Sequence, residues 1–221
     1  MAPRQAGAIP QRTAVATHAL PETFDQLIDD MHRCEQAPGL SIWRHGELVA
    51  QRYAELVQHL QGMADERVCG AEPAGLGDWR LPDWLVENAE LLLAKQIDFA
   101  TAQRYQLFHD AGKPYCRTVD EAGRQHFPDH AAMSARVWRA LGGGESEAAL
   151  IERDMDIHQL SAAELPAFGA HPGAATLLLT GLAEVHANAS MFGGLESISF
   201  KSKWKHLDRR GRALLKQWSQ A

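Results

Sequence analysis

The residues with the most chemistry to offer lie in the run Phe108-His109-Asp110-Ala111-Gly112-Lys113-Pro114. Adjacent His and Asp point apart on a regular helix. At a helix end, however, an imidazole nitrogen and a carboxylate oxygen can both turn toward one cation. Gly112 lets the chain leave the helix sharply, and Lys113 sets a positive charge where an anionic substrate would sit. Further on, Asp154 and His158 are four apart, which on a helix puts acid and imidazole on the face of Leu150, Ile151 and Ile157, while Asp156 points away. Such a pair suits one metal, or the second metal of two; it equally suits a hydrogen bond inside a bundle. A mixed His/carboxylate site binds transition divalents (Mn, Fe, Co, Ni or Zn) better than Ca, and Mg where carboxylates and water dominate.

The elements that must position these groups read as helices. Residues 1–18 are polar and Pro-containing, with no periodicity, and form a flexible leader; residues 19–221 form a single domain. Phe24, Leu27, Ile28 and Met31 make one helical stripe, and a second helix, capped by Ser41, runs to about Leu60 through Ile42, His45, Val49, Tyr53, Leu56 and Val57. Residues 62–82, rich in Gly, Pro and Asp, read as a loop or insertion. Helical patterns resume at Pro82–Lys95 and Phe99–His109, residues 111–128 are loop-like, and Asp129 heads a helix that ends at Gly142-Gly143-Gly144. Another helix is expected from about Glu145 to Leu160, broken by Pro166-Ala167-Phe168-Gly169. An apolar helix follows over Gly173–Ser190, and a basic one ends the chain at about 205–219. No stretch alternates with period two, so the fold class is all-α.

The motif resembles the HD-domain metal-dependent phosphohydrolases, over about Leu40 to Ser190. The HDxGKP run carries most of the likeness. The segment Ser41-Ile42-Trp43-Arg44-His45-Gly46-Glu47-Leu48-Val49-Ala50 is similar to the family's upstream metal-binding helix, and His126-Phe127-Pro128-Asp129-His130 to its segment after the HD turn. The resemblance implies an HD-domain-like helical bundle with one or two divalent metal ions in its core, held by His45, His109, Asp110, His130 and Asp154. His158 is a further candidate. The family's last ligand is an Asp on a late helix, where this chain has Glu184; Asp154, Asp156, Glu184 and His186 all remain candidates for that place, although His186 also fits as a satisfied core histidine. A second metal would draw on His130 and Asp154. His130 is alternatively catalytic, as a proton donor to the leaving oxygen, and Lys113 stabilises phosphoryl charge.

The HDxGKP form is similar to HD domains of RNA- and nucleotide-processing enzymes, which implies a phosphomonoester or cyclic phosphodiester of a nucleotide or nucleic-acid end as substrate. The charge distribution agrees with that class. Net charge is −6, yet residues 201–221 carry seven Lys/Arg against the single acid Asp208. Lys201, Lys203 and Arg209, interleaved with Phe200 and Trp204, are candidate substrate contacts, with His126 a further one from its loop. Two alternatives stand beside the hydrolase: a nucleic-acid-binding or regulatory module whose metal is structural or lost, and a nucleoside triphosphatase. The composition, 45% hydrophobic and 23% charged, excludes collagen-like, disordered and disulfide-scaffold classes. Cys34, Cys69 and Cys116 are widely spaced, without CxxC, and no apolar run approaches the roughly 20 residues of a membrane helix. The expected setting is the cytoplasm, with no membrane partner.

Overall fold

A computed structural model describes residues 19–69, 76 and 78–220. The leader at 1–18, with residues 70–75 and 77 of the expected insertion, lies outside the described residues. Helix α1 (Phe24–Arg33) is capped by the Thr23 hydroxyl, which accepts the Gln26 N–H, and buries Leu27 and Met31, one turn apart. A two-stranded antiparallel hairpin, β1 (Glu35–Ala37) and β2 (Leu40–Ser41), turns through Gly39 at φ 76° and leads into α2 (Ile42–Cys69). Ser41 Oγ accepts the Arg44 N–H at 3.1 Å, the expected cap.

The short helices α3 (Asp83–Glu87) and α4 (Ala89–Lys95) precede α5 (Phe99–Phe108), which Asp98 caps by accepting the Thr101 N–H at 2.9 Å. After α6 (Lys113–Cys116) comes a second hairpin, β3 (Thr118–Val119) with β4 (Gln125–His126). The rest is helical: α7 (His130–Ala140), α8 (Glu145–Glu152), α9 (Asp156–Gln159), α10 (Leu165–Gly169), α11 (Ala174–Ala187) and α12 (Ile198–Trp218). Among the described residues strand is confined to the two hairpins, so the all-helical expectation holds.

Helix α2 lies between α5 and α11, with α7 and α8 packed beyond α5 and α12 behind α11. The core between them is built from Tyr53, Leu56, Leu60, Leu92, Ala102 and Leu177. Helix α11 is buried on nearly every side from Ala174 to Ala183, as an apolar helix at the centre of a bundle must be.

Several boundaries differ from the sequence expectation. Helix α2 does not stop at Leu60 but continues to Cys69, because Gly62 is the one helix-disfavouring residue before Met63-Ala64-Asp65-Glu66-Arg67-Val68-Cys69 and a single glycine costs only about 1 kcal/mol. The 145–160 helix is two helices. Arg153 N–H bonds the Leu150 carbonyl at 3.1 Å and Asp154 N–H that of Ile151 at 3.2 Å, and these three-residue steps tighten the chain between α8 and α9. Pro166 does not break a helix; it sits in the first turn of α10, where its missing N–H costs nothing. Asn88 divides the segment after Pro82 into α3 and α4, and 111–128 contains α6 and a hairpin. Helix α12 starts at Ile198, seven residues before the expected 205, because the Ser197 hydroxyl caps it by accepting the Phe200 N–H at 3.1 Å.

Two glycines hold helices close to the future site. A Cβ on Gly46 would collide with the carbonyl of Leu107, so α2 and α5 touch backbone to backbone there. Gly112 has an ordinary helical φ of −82°, and it does not serve a sharp exit. It is glycine because a Cβ would strike the Met133–Ser134 backbone of α7, to which its own N–H is tied through Ser134 Oγ at 2.8 Å. Gly46→Ala is expected to force α2 and α5 apart and lower stability by about 1–3 kcal/mol. A urea midpoint shifted down with unchanged slope would show this; an unchanged midpoint would mean the crossing is not tight.

Candidate metal centre

The interior where α2, α5 and α11 meet holds polar groups. His45, fully buried on α2, faces His109 edge to face with ring centroids 5.2 Å apart. His109 follows the last residue of α5, where the helix opens into a turn, and this lets His109 and the next residue, Asp110, both face inward. Asp110 Oδ2 lies 3.3 Å from His109 Nε2 and 3.6 Å from His45 Nε2. Glu184 enters from α11. One ligand atom each from His45, His109 and Glu184 lie within 4.8 Å of one another, a spacing that fits a metal ion.

Orientation is set one bond further out. His109 Nδ1 donates to the Gln106 carbonyl at 2.7 Å, so Nε2 is the ring nitrogen that faces the cluster. Gln106 is itself held by Thr180 Oγ1 at 3.0 Å. His130 repeats the arrangement: Nδ1 donates to the Phe127 carbonyl at 3.1 Å, and Nε2 stands 3.6 Å from Asp110 Oδ1. Its side chain is 18% exposed, at the open edge of the site.

Both ring nitrogens of His45, Nε2 of His109 and Oδ1 of Asp110 are buried without a hydrogen-bond partner. Leaving such atoms unpaired costs about 1–3 kcal/mol each, and a cation placed among them would satisfy several at once. The donor set of two imidazoles and two carboxylates fits a divalent transition ion.

Charge in the site is held by pairing. Burial pushes the Asp110 carboxyl up, but the Lys113 ammonium, 2.6 Å from Oδ2, and His109 hold it well below the usual carboxylate range. Burial, with the neighbouring His109 charge, takes His45 down to about 4. For His109 burial opposes protonation too, yet Asp110 and Asp154 outweigh it and raise the imidazole to about 10. Glu184, which burial would raise, is kept ionised by His158, whose Nε2 lies 3.0 Å from Oε2. Burial raises Asp154 against the pull of His109, and the Tyr105 hydroxyl donates to its Oδ1 at 2.6 Å. At neutral pH without a metal, His45 is therefore neutral and His109 carries a proton.

The structure places His45, His109 and His130 around Asp110, with Glu184 the carboxylate grouped with the two buried histidines. Asp154 and His158 do not form a single-face pair, because the chain between α8 and α9 tightens; Asp154 turns to Tyr105 and His158 to Glu184. His186 donates from Nδ1 to the Leu182 carbonyl at 2.7 Å and accepts the Arg80 N–H on Nε2 at 3.0 Å, so no lone pair is left for a metal. Asp156 pairs with Arg153 outside the cluster. Lys113 is not a free loop lysine: besides Asp110 it bonds Gln36 Oε1 at 2.7 Å and lies 5.4 Å over the Phe127 ring. His126 is exposed and bound to Asp120 at 3.0 Å. On α12, Lys201 pairs with Glu196, Lys203 covers Phe192, and Arg209 meets His206, none of them in the cluster.

Sequence reasoning missed Tyr105 and Gln36. Tyr105 was within reach of it, being four residues before His109 on one helix face; nothing local marks Gln36. No protein-family model, curated protein or solved structure matches the chain.

A divalent ion taken up by His45 and His109 must displace the His109 proton, since His45 is already neutral at pH 7. Calorimetry with Zn(II) in buffers of different ionisation enthalpy is expected to show release of about one proton near pH 7 and affinity rising roughly tenfold per pH unit from 6 to 8. Binding without proton release would mean either that His109 is neutral before the ion arrives or that it is not a ligand.

Proposed function

We propose that the protein is a metal-dependent phosphohydrolase of HD type, acting on a phosphomonoester or cyclic phosphodiester of a nucleotide or nucleic-acid end. The observation that carries this reading is the convergence of buried, unpaired ligand atoms from His45 and from His109 and Asp110 of the HDxGKP run beside Glu184. These four residues would hold the ion. When bound, a divalent cation supplies charge neutralisation for phosphoryl oxygens and acidifies water.

The chain's own residues do the rest. Lys113 keeps Asp110 ionised and in place through its 2.6 Å contact. His130, oriented by the Phe127 carbonyl at the open edge, presents Nε2 to substrate and in its protonated form gives that proton to the leaving oxygen. Tyr105 and His158 fix the two further carboxylates, Asp154 and Glu184, so neither has to move as charge develops. A second reading, a binding or regulatory module without a catalytic ion, is favoured by one observation: Lys113 and protonated His109 already oppose the Asp110 charge.

The test is phosphate release from an aryl phosphate, common nucleotides, and RNA ends bearing 3′-phosphate or 2′,3′-cyclic phosphate, with Mn, Ni, Co, Zn and Mg supplied in turn. Metal-dependent turnover is expected, reduced about a hundredfold or more in Asp110→Ala and His45→Ala with helix content by circular dichroism retained. Pyrophosphate or tripolyphosphate release from nucleoside triphosphates would point to the triphosphatase instead. No turnover with any ion, in a protein that does not bind metal, would establish the second reading.

A further inference from the structure

Helix α12 has two faces of opposite character. Phe200, Leu207, Leu214, Leu215 and Trp218 are buried, whereas Lys205, Arg209, Arg212 and Lys216, spaced four, three and four apart, stand exposed along one line. At 1.5 Å per residue the line is about 16 Å long, the span of about five stacked phosphates on one strand. Arg212 is shared with Asp208 at 3.2 Å and Asp83 at 3.8 Å, but no described carboxylate pairs with Lys205, Arg209 or Lys216. The first 200 residues carry 27 acidic against 15 basic side chains, so the body of the molecule repels a polyanion that this line attracts.

We propose that this exposed line on α12 is a binding surface for the sugar-phosphate backbone of a single-stranded nucleic acid. An anionic membrane is the other surface a basic helix fits, but a helix lying on lipid needs a broad apolar face turned outward. Here the large apolar side chains of α12 face the core, and the residues beside the basic line are Ser202, His206 and Ala213; Ile198, 89% exposed, lies in the first turn only.

The helix is fixed to the metal-centre side of the molecule. Arg210 donates to the carbonyls of His158 at 3.2 Å and Leu160 at 2.6 Å, and Leu207 packs against Gly181, one turn before Glu184 on α11. The inner face of α12 thus packs on α9 and α11, the two elements that furnish His158 and Glu184, and the basic line lies on the outer face of the same helix. Hydrolysis of a bound strand's end rests on the function proposed above; the binding itself does not.

The experiment is fluorescence anisotropy with a fluorescein-labelled oligouridylate, titrated in chelator so that no turnover occurs. The wild type is expected to bind with a slope of log K against log salt of about −2, from three phosphate contacts at about 0.7 each. The triple variant Lys205→Gln, Arg209→Gln, Lys216→Gln is expected to bind at least tenfold more weakly at low salt, with the slope near zero and unchanged circular dichroism. Should the triple variant unfold, Lys216→Gln alone is expected to reduce the slope by about 0.7. Absence of wild-type binding, a salt-independent affinity, variants that bind like wild type, or tighter binding to phosphatidylserine vesicles than to the oligonucleotide would each overturn the proposal. A protein that hydrolyses phosphate esters yet fails to bind the strand overturns the surface alone; one that binds but never hydrolyses overturns the hydrolase alone.

Discussion

Two carboxylates, Asp110 and Asp154, are closed into the middle of a helical bundle, with a third, Glu184, half-buried beside them, and the arrangement around them answers that one constraint. A buried carboxylate costs several kcal/mol unless something offsets its charge or shares a proton with it. Each has a dedicated partner: Lys113 for Asp110, Tyr105 for Asp154, His158 for Glu184. The partners arrive from different elements, so the charges themselves tie α5, α6, α9 and α11 together. The close approaches at Gly46 and Gly112 follow from the same requirement, since α2 and α7 must come near enough to bring His45 and His130 to Asp110.

What the sequence makes legible is what is encoded locally. The HD turn can be read because a helix ending at Phe108 frees two neighbouring side chains to face one way, and His45 because it sits on the apolar stripe of α2. Pairings across elements are not local, and they carry no signature. Gln36 reaches Lys113 from a hairpin 77 residues earlier, and His158 reaches Glu184 across 26. The expectation that Asp154 and His158 share a face assumed an unbroken helix; two tightened steps at 153 and 154 were enough to send them to different partners. Glu184 could be named only as a neighbourhood, because its inward direction depends on how α11 is rotated against α2.

The histidines show why residue type alone underdetermines role. His186 is as buried as a ligand would be, yet both its nitrogens are spent, one on Leu182 and one on Arg80. His109 spends one on Gln106 and keeps the other, and His45 spends neither. Spacing and hydropathy treat these residues alike. They separate only when each lone pair and each N–H is assigned a partner, which requires the packed structure.

The proton on His109 has a consequence for how such a chain matures. With Lys113 and the His109 imidazolium in place, the core's negative charge is opposed before any metal arrives, so folding does not have to wait for an ion in the way that a zinc finger's does. An ion held as proposed would then enter a finished site by exchange, one proton out for one ion in.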